Sequence, residues 1–386
     1  MILSYNRVMK IVITGGGTGG HFYPLIAVAD KIYDRAEELR LLKPEIIYMA
    51  DKPYNEKLLY RKGIRFQKIS AGKMRRYFSL KNIPDFFKMV IGMINTFVIM
   101  LSTTPDAVFT NGSYVSVPVL FAAKVLRIPI FLHVSDAIPS RALLTAAKSA
   151  RRISIAFPEA QEYLPKDDTK VAIIGNPIQD ELLQPLSNGA HEFLELDYNI
   201  PTIFVIGGSS GAQIMNDTII DALPKLLMKY NVIHQAGSNN FQDVAGRAKV
   251  VIYDHPYKTR YKLYPYLETL AMRMSAGASD IVVSRAGAGS ISEIAQWGKP
   301  SIVIPIPENV SRDQEKNAFS YAKFGATVVI KQGNLSANIL ISEIERILGD
   351  QSVKEALIKG ARSFAKPDAA TRIANEIVEL SLEHEK

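Results

Sequence analysis

The 386-residue sequence contains no cysteine, which excludes disulfide bonds, zinc–thiolate sites and cysteine nucleophiles. It also contains no Walker A pattern, no HExxH motif and no Asp-x-Asp pair. These absences remove the corresponding ATPases and zinc proteases, and they leave a metal-bridged diphosphate site unsupported. If this protein binds a nucleotide diphosphate, helix N-termini and hydroxyl groups must neutralise its charge.

Long hydrophobic runs are also missing. The longest apolar segment, 83–101, carries Asp85, Lys88 and Asn95, so we expect no transmembrane helix. The strand-like run near the N-terminus is too short for a secretory signal, and no cleavage site follows it. We therefore expect a cytoplasmic protein, with Met9 as an alternative start to Met1.

The composition predicts a soluble globular protein. Hydrophobic residues make up 47% of the chain and charged residues 22%, and the length suits two domains better than one. The net charge of +8 favours contact with an acidic partner, such as a phosphorylated substrate, an anionic membrane surface or nucleic acid. A basic surface that only keeps the protein in solution would explain the same charge.

Strand-like and helix-like stretches alternate along the chain, which predicts βαβ units on parallel sheets. In the first half the strand candidates are 10–14, 45–50, 64–69, 107–110, 130–133, 153–156 and 171–174, and the helix candidates are 24–40, 84–101, 117–126 and 140–150. A polar, proline-containing stretch at 175–201 is the predicted boundary. The same order then restarts, with strands at 202–206, 232–235, 250–253, 280–284, 301–305 and 326–330 and a helix at 212–230.

The predicted fold class is therefore α/β, with two Rossmann-like, doubly wound parallel-sheet domains facing a cleft. The predicted domains are 1–177 and 178–365, with a final helix at about 366–386 that can pack back on the first domain. Ligands of open α/β sheets bind beyond the carboxyl ends of the strands. Each half has a glycine-rich turn at such a position, directly after its first strand.

The first glycine turn, 15–20, joins a strand to a helix and is followed by His21. Unpaired N–H groups in such a turn can hold an anion. Its glycines also match the G-x-G-x-x-G dinucleotide fingerprint, so an NAD(P)- or FAD-dependent oxidoreductase stays open. Asp51 ends the second strand later than that fingerprint requires, and a threonine and a histidine at the turn are atypical of it.

Three later stretches also suit a nucleotide ligand. In the turn 207–211, Ser209 and Ser210 would offer hydroxyl donors to a diphosphate, or would serve only as helix N-caps. In 280–296, Ser290 or Ser292 could cap a helix whose first turn contains Glu293. An ionised glutamate there would alternatively accept hydrogen bonds from both ribose hydroxyls. The polar run 312–317 is either a solvated helix face or a ligand-binding segment at the end of a strand.

Two stretches mix cations with aromatic side chains. The first, Lys73–Lys88, combines five cations with one methionine and four aromatic residues. Apolar groups ringed by basic ones are typical of proteins that bind anionic lipid surfaces. An ordinary helix and loop with buried aromatic residues would give the same pattern. The second stretch, Tyr257–Tyr266, is less coherent, and we expect no nucleic-acid binding there.

Seven motifs follow one another along the chain: TGGGTGGHFYP (14–24), NGSYVSVP (111–118), the loop 133–136, GNP (175–177), GGSSGA (207–212), SRAGAGSISEIA (284–295) and DQEKNA (313–318). In this order they resemble the motifs of the bacterial UDP-N-acetylglucosamine transferases of peptidoglycan synthesis, which make lipid II from lipid I. The resemblance implies a GT-B fold and an inverting, metal-independent transfer of GlcNAc from UDP-GlcNAc to the 4-hydroxyl of MurNAc in undecaprenyl-linked lipid I. It implies no cofactor, a peripheral position on the anionic inner face of the cytoplasmic membrane, and possible contact with cell-wall synthesis proteins.

The resemblance also implies roles for individual residues. The sugar donor would contact Ser209, Leu267, Ala288, Gly289, Ser290, Ile291, Ser292, Glu293, Gln314 and Gln179. The acceptor and its diphosphate would contact Thr18, Gly19, Gly20, Gly112, Ser113, Tyr114 and Asp136. The membrane patch would comprise Lys73, Arg75, Arg76, Phe78, Phe86 and Phe87.

His21 is the candidate catalytic base for the acceptor hydroxyl, because histidine titrates near neutrality. A histidine that only orders the turn or binds the acceptor is the alternative.

Two motifs depart from the family pattern. Where the family reads His-Glu-x-Asn, this chain has Val134 and Asp136 in place of the acidic and amide side chains. Where the family reads Gly-Asn-Pro-x-Arg, Gln179 removes a cation near the nucleotide. Because of these departures, a catalytically silent paralogue that only binds a nucleotide sugar is an alternative interpretation. The motifs for the sugar donor also do not separate this activity from a UDP-sugar-dependent diacylglycerol glycosyltransferase.

Overall fold

The computed structural model describes residues 7–16, 18–71, 82–167, 169–207, 212–311 and 313–384, with the side chains of residues 82–88 excepted. The chain divides into two compact units. The first comprises residues 1–179 and 367–386, and the second comprises residues 180–366. Each unit is built on its own parallel sheet.

The first unit has a seven-stranded sheet. Its strands are β1 (Lys10–Thr14), β2 (Glu45–Ala50), β3 (Arg65–Lys68), β4 (Ala107–Thr110), β5 (Ile130–Val134), β6 (Arg152–Ile155) and β7 (Val171–Ile173). They lie in the order β3-β2-β1-β4-β5-β6-β7, and every neighbouring pair is parallel. Parallel neighbours need crossover connections, and most of these contain a helix. The helices are α1 (Gly19–Glu38), α2 (Glu56–Lys62), α3 (Asn82–Thr103), α4 (Val117–Val125) and α5 (Arg141–Ala147).

The second unit has a six-stranded parallel sheet in the order β10-β9-β8-β11-β12-β13. Its strands are β8 (Thr202–Ile206), β9 (Asn231–Gln235), β10 (Tyr261–Tyr264), β11 (Ile281–Arg285), β12 (Ser301–Ile304) and β13 (Val328–Val329). Its helices are α6 (Asp180–Leu183), α7 (Ala190–Phe193), α8 (Gln213–Leu226), α9 (Phe241–Val251), α10 (Thr269–Ala278), α11 (Ala288–Trp297), α12 (Gln314–Lys323), α13 (Ala337–Gly349) and α14 (Gln351–Phe364).

One helix returns from the end of the chain to the first unit. This helix, α15 (Ala369–His384), packs against α1. Its buried side chains, including Ile373 and Ile377, belong to the same hydrophobic core as Ile11 of β1 and Leu25 of α1. The core of the first unit is therefore completed by residues that follow the second unit in sequence.

The predicted strand at 250–253 is wrong. Those residues lie at the end of α9 and in the turn after it, and the strand at this edge of the sheet is β10. A four-residue apolar run fits either a strand or the end of a buried helix, and periodicity does not separate the two. In β10 the lysine of the sequence YKLY conceals the strand pattern.

The strand order of each sheet contains one topological switch point. In the first unit the chain proceeds outward from β1 to β3 and then returns to place β4 on the other side of β1. In the second unit β8 and β11 are related in the same way. Ligands of open α/β sheets bind at such points, beyond the carboxyl ends of the strands. The turns after β1, β4, β8 and β11 are therefore the places to look for sites.

Among the described helices, none has the length and apolar character needed to span a bilayer.

Candidate functional site

The turn after β1 leads directly into α1, which begins earlier than the sequence pattern indicates. The helix starts at Gly19, and Thr18 is its N-cap, without a side-chain capping bond among the described residues. The predicted acceptor residues Thr18, Gly19 and Gly20 therefore form the end of the turn and the first helical residues. In this position the N–H groups of the first turn of α1 are oriented toward the switch point.

His21, the candidate base, is the third residue of α1 and is half-buried. Its main-chain N–H donates to the carbonyl of Thr18 at 3.2 Å, and its own carbonyl accepts from Nδ2 of Asn111 at 2.6 Å. On the strand side of the turn, the buried Tyr48 hydroxyl donates to the carbonyl of Gly15 at 2.8 Å. Side chains from the neighbouring strands thus hold the main chain on both sides of the turn.

The loop after β4 brings the predicted residues Gly112, Ser113 and Tyr114 to the same switch point. The φ angles are +91° at Gly112 and +88° at Ser113. A Cβ at position 112 would lie 2.8 Å from Cγ of Leu143, so both space and conformation require glycine there. A non-glycine residue at such an angle is strained by about 1–3 kcal/mol, and strain of this kind concentrates at functional sites. Tyr114 donates to Asp51 at 3.1 Å, and burial together with that carboxylate raises the pKa of Tyr114.

The end of β5 holds a buried histidine and both positions that depart from the family pattern in this loop. His133 lies between Oγ of Ser154 and Oδ1 of Asn176, each 2.8 Å from a ring nitrogen. Burial lowers the pKa of His133 to about 4, and the nearby imidazole of His21 contributes to the lowering. Val134 is fully buried, so it is a core residue here, whereas Asp136 is half-buried.

In the second unit Gly207, the residue that follows β8, packs closely against the end of β9. The N–H of Gly207 donates to the main-chain carbonyl of Gln235 at 3.1 Å, and a Cβ on Gly207 would lie 2.9 Å from the same oxygen. The buried side chain of Gln235 accepts from the N–H of Leu267 at 2.9 Å. The predicted sugar-donor residue Leu267 is therefore held by Gln235, the residue whose main chain also contacts Gly207.

The predicted caps of α11 are wrong. The helix begins at Ala288 with Gly287 as its N-cap, so neither Ser290 nor Ser292 caps it. Ser292 instead donates to the carbonyl of Ala288 at 2.9 Å, inside the helix. The N-terminus of α11 directly follows β11, so its first N–H groups lie at the carboxyl edge of that strand.

Glu293 is the sixth residue of α11 and lies beyond its first turn, where the helix dipole gives little stabilisation. It is partly buried, and burial raises the pKa of its carboxyl to about 7. The described residues offer its carboxylate no hydrogen bond or ion pair. Gly289 and Ser290 are partly exposed near it, whereas Ile291 is fully buried.

Two amide side chains hold helix α12 at the carboxyl edge of the second sheet. Gln314, its first residue, accepts from the N–H of Ile306 at 3.2 Å. Asn317 donates to the carbonyl of Ala286 at 3.3 Å, in the turn between β11 and α11. Within the described part of the chain, the Nε2 group of Gln314 keeps both of its hydrogens for another acceptor.

Several predicted residues lie outside the described residues. They are Ser209, Lys73, Arg75, Arg76 and Phe78, together with the side chains of Phe86 and Phe87 in α3. Gln179 is described and lies, partly exposed, at the end of the first segment of the first unit. Most of the other predicted residues follow the strands of the two switch points, with the acceptor set and His21 in the first unit and the sugar-donor set in the second. Asp136, Leu267 and Gln314 follow β5, β10 and β12, at the same carboxyl edges of the sheets.

Sequence reasoning missed three amide side chains that hold these turns. Asn111, Gln235 and Asn317 are all buried, and each bonds to the main chain of a segment at the carboxyl edge of its sheet. Their shared signal is a buried polar residue at the end of an apolar strand or in the first turn of a helix. A strand end faces the ligand edge of the sheet, so such residues can be sought there.

A metal site is not apparent in the described part of the chain, which holds no group of three histidine, aspartate or glutamate residues arranged around a common point.

Both halves of the chain match one enzyme family. The glycosyltransferase family 28 N-terminal domain matches residues 11–155, and the glycosyltransferase family 28 C-terminal domain matches residues 202–373. Two relatives, from Natranaerobius thermophilus and Treponema denticola, are each named UDP-N-acetylglucosamine–N-acetylmuramyl-(pentapeptide) pyrophosphoryl-undecaprenol N-acetylglucosamine transferase. The first is 30% identical over 376 residues, covering 96% of this chain and 100% of the relative. The second is 35% identical over 381 residues, covering 95% and 94%.

Solved structures match over nearly the whole chain as well. The crystal structure of MurG from Acinetobacter baumannii superposes with a TM-score of 0.71 at 22% identity, covering 96% of this chain and 99% of that one. Staphylococcus aureus MnaA, in its structure with UDP, gives a TM-score of 0.69 at 14% identity, covering 98% of each chain. At these identities the matches establish the fold. It is GT-B, which confirms the predicted fold class.

Proposed function

The chain belongs to the UDP-N-acetylglucosamine–N-acetylmuramyl-(pentapeptide) pyrophosphoryl-undecaprenol N-acetylglucosamine transferase family, and on that premise we propose that it transfers GlcNAc from UDP-GlcNAc to the 4-hydroxyl of MurNAc in lipid I. The product is lipid II, and the anomeric configuration is inverted. The observation that carries the proposal is the full-length match to relatives of this name. The motif residues of each half also lie at the carboxyl edge of its sheet, where ligands of such sheets bind.

UDP-GlcNAc binds the second unit in this proposal. The turn after β8 and the N-terminus of α11, which has a glycine N-cap, offer N–H groups to the diphosphate. Glu293 accepts hydrogen bonds from the ribose hydroxyls, and its lack of a partner among the described residues supports this role. Gln314 is tethered through Oε1 and offers Nε2 to an oxygen of the sugar.

Lipid I binds the first unit. The N–H groups at Thr18, Gly19 and Gly20 face its diphosphate, as does the strained loop from Gly112 to Tyr114. Asp136 accepts a hydrogen bond from the acceptor, although as a carboxylate it cannot donate one as asparagine would.

The chemical step is a single displacement at the anomeric carbon of GlcNAc. The 4-hydroxyl oxygen of MurNAc forms the new bond to this carbon as the bond to the β-phosphate oxygen of UDP breaks, and UDP leaves with that electron pair. The hydroxyl proton passes to the ring of His21 as the bond forms. The position of His21 in the first turn of α1, beside the proposed diphosphate site, supports this assignment. Transfer requires no metal ion, because N–H groups and hydroxyls stabilise the leaving diphosphate.

Contact with the anionic inner face of the cytoplasmic membrane is also part of the proposal. Ile91, Ile94, Val98 and Leu101 share one face of α3 and are 54–60% exposed. Val125 of the neighbouring helix α4 is 53% exposed. An exposed apolar stripe of this size indicates an interaction surface, and the basic segment that precedes α3 in sequence favours anionic lipid as its partner.

The deciding experiment supplies labelled UDP-GlcNAc with a lipid I analogue and, in parallel, with diacylglycerol, each with and without a chelator. We expect label on the lipid I analogue only, and no effect of the chelator. Label on diacylglycerol alone would overturn the proposed acceptor, and loss of transfer with chelator would overturn the metal-free step. UDP-GlcNAc binding without transfer to either lipid would indicate a catalytically silent paralogue. Binding of NAD(P) in preference to UDP would indicate an oxidoreductase.

The role of His21 is tested separately with His21→Ala. We expect turnover to fall by about a hundredfold or more while UDP-GlcNAc binding persists, since a general base contributes about 10²–10⁴-fold. Turnover near that of the unaltered protein would remove His21 from the proposal.

A further inference from the structure

Asn111 lies beside the first glycine turn, directly after β4, the neighbouring strand of the sheet. Thr14 at the end of β1 is paired with Thr110 at the end of β4. The next residues, Gly15 and Asn111, therefore leave the sheet side by side at the switch point. The side chain of Asn111 is completely buried.

The two ends of the Asn111 amide meet different parts of the turn. Nδ2 donates to the carbonyl of His21 at 2.6 Å. Oδ1 occupies the space where a Cβ on Gly15 would stand, and it accepts no hydrogen bond from the described residues. The orientation of the amide is fixed, because a rotated amide would turn its oxygen toward the carbonyl oxygen of His21.

The main chain around Asn111 is also held firmly. Its neighbour Gly112 donates its N–H to Oγ1 of Thr110 at 3.0 Å, and both Gly112 and Ser113 have positive φ. The side chain of Asn111 thus forms a short, rigid connection between the end of β4 and the first turn of α1. A displacement of that carbonyl would carry the Cα and the ring of His21 with it.

We propose that Asn111 is a positioning residue for His21, which sets the place of the imidazole through this main-chain hydrogen bond. The inference rests on the proposed function, in which the His21 ring takes the proton of the acceptor hydroxyl. Asn111 touches neither substrate and acts only through the geometry of the base.

A second buried asparagine provides a matched control. Asn231 is also fully buried, its Nδ2 donates to the main-chain carbonyls of Asp197 and Ile200 at 2.9 and 3.0 Å, and its Oδ1 accepts no hydrogen bond from described residues. It lies at the amino end of β9, the opposite edge of its sheet from the switch point. The two asparagines therefore have the same side chain and similar burial. They differ in the main-chain segment to which each is hydrogen-bonded.

The first measurement is steady-state kinetics of Asn111→Ala, Asn111→Asp and Asn231→Ala. We expect both Asn111 variants to lower kcat by about a hundredfold, the effect of a 1 Å misplacement, with KM for UDP-GlcNAc unchanged. Asn231→Ala lowers the melting temperature and leaves kcat unchanged. An equal loss of kcat at both asparagines would mean that burial alone matters, and would overturn the proposal.

A double-mutant cycle tests whether Asn111 acts through His21. In the His21→Ala background, Asn111→Ala should lower kcat no further, because the group that it positions is gone. A second, independent loss of kcat in that background would overturn the inference while leaving the proposed function intact.

A spectroscopic measurement separates this inference from the proposed function. The ring ¹H–¹⁵N resonances of His21, assigned with His21→Ala, should shift in Asn111→Ala and stay in place in Asn231→Ala. This readout needs no transfer activity. Unshifted resonances in Asn111→Ala would overturn the positioning role, whereas failure of transfer in the unaltered protein would overturn only the proposed function.

Discussion

Nε2 of His133 lies 2.8 Å from Oδ1 of Asn176, although the two residues are 43 positions apart in sequence. Nδ2 of Asn176 donates to the carbonyl of Ser135 at 3.2 Å, so its oxygen must face the histidine. A neutral His133 then carries its proton on Nε2 and accepts from the hydroxyl of Ser154 through Nδ1. This network ties the GNP segment to the ends of β5 and β6 with every ring nitrogen satisfied.

The buried state of His133 predicts a specific loss of stability in acid. Burial lowers its pKa to about 4 from the ordinary 6.5, so between these values the unfolded chain binds the extra proton and the folded first unit does not. The contribution of His133 to the free energy of unfolding is therefore fully present above pH 6.5. It is lost as the pH drops toward 4, which lowers the free energy of unfolding by roughly 3 kcal/mol. Urea unfolding at pH 7 and 4.5, followed by circular dichroism, measures the loss.

His133→Gln is the matched variant, because its amide keeps a donor for Asn176 and does not titrate. We expect it to reduce the pH dependence of the circular-dichroism transition. The sole tryptophan, Trp297, lies in the second unit, so its fluorescence transition should keep its pH dependence. An undiminished circular-dichroism dependence in the variant would contradict the prediction.

Glu293 predicts that UDP-GlcNAc binding depends on pH near neutrality. Burial raises the pKa of its carboxyl to about 7, and only the ionised form accepts from both ribose hydroxyls. Affinity should therefore rise by about tenfold between pH 6 and 8, measured by titration calorimetry. Glu293→Gln should bind weakly at both pH values. Glu345→Gln, at a surface residue paired with Lys229, changes the same charge and should retain the dependence.

Gly15→Ala should damage the first unit through a steric clash. The new Cβ would overlap Oδ1 of the buried Asn111, which cannot move aside without losing its bond to His21. Overpacking of this kind costs about 1–3 kcal/mol, which thermal unfolding would detect. Gly246→Ala is the control, since a Cβ there meets open space within α9 and should stabilise by roughly 0.5–1 kcal/mol. Equal melting temperatures for the two variants would contradict this prediction, because they would show that the turn accommodates the added methyl group without strain.

The exposed stripe on α3 should govern binding to anionic lipid. Ile94→Glu with Val98→Glu places two negative charges on that face, and we expect the fraction that sediments with phosphatidylglycerol vesicles to fall severalfold. Transfer to a water-soluble lipid I analogue should be unchanged. Val250→Glu alters a residue that is 76% exposed on α9 and should leave vesicle binding intact. A loss of sedimentation in both proteins would indicate general charge repulsion rather than a specific face.

Much of the fold can be predicted from local patterns in this chain. Strands such as Lys10–Thr14 and Thr202–Ile206 are mostly apolar because helices cover both faces of a parallel sheet, and each is followed by glycines. The end of α9 and the strand β10 could not be assigned in this way. At the end of α9 an apolar run continues the helix, and in the edge strand β10 a lysine interrupts the apolar pattern.

The main chain of the candidate site was easier to predict than the side chains that hold it. Glycine runs locate the turns, since few other residues permit such close approach. The contacts of Asn111 with His21, and of Gln235 with Leu267, join strands and loops that are distant in sequence. They depend on strand order and register, which no local pattern contains.

The packing of α15 against α1 has a consequence for how the protein is made. The ribosome must synthesise residues 180–366 before it reaches α15, so the core of the first unit stays open on one side while the second unit is completed. The helix that carries His21 receives its packing partner only after the whole second unit has been synthesised. Translation that stops early would yield a finished second unit beside an unfinished first one.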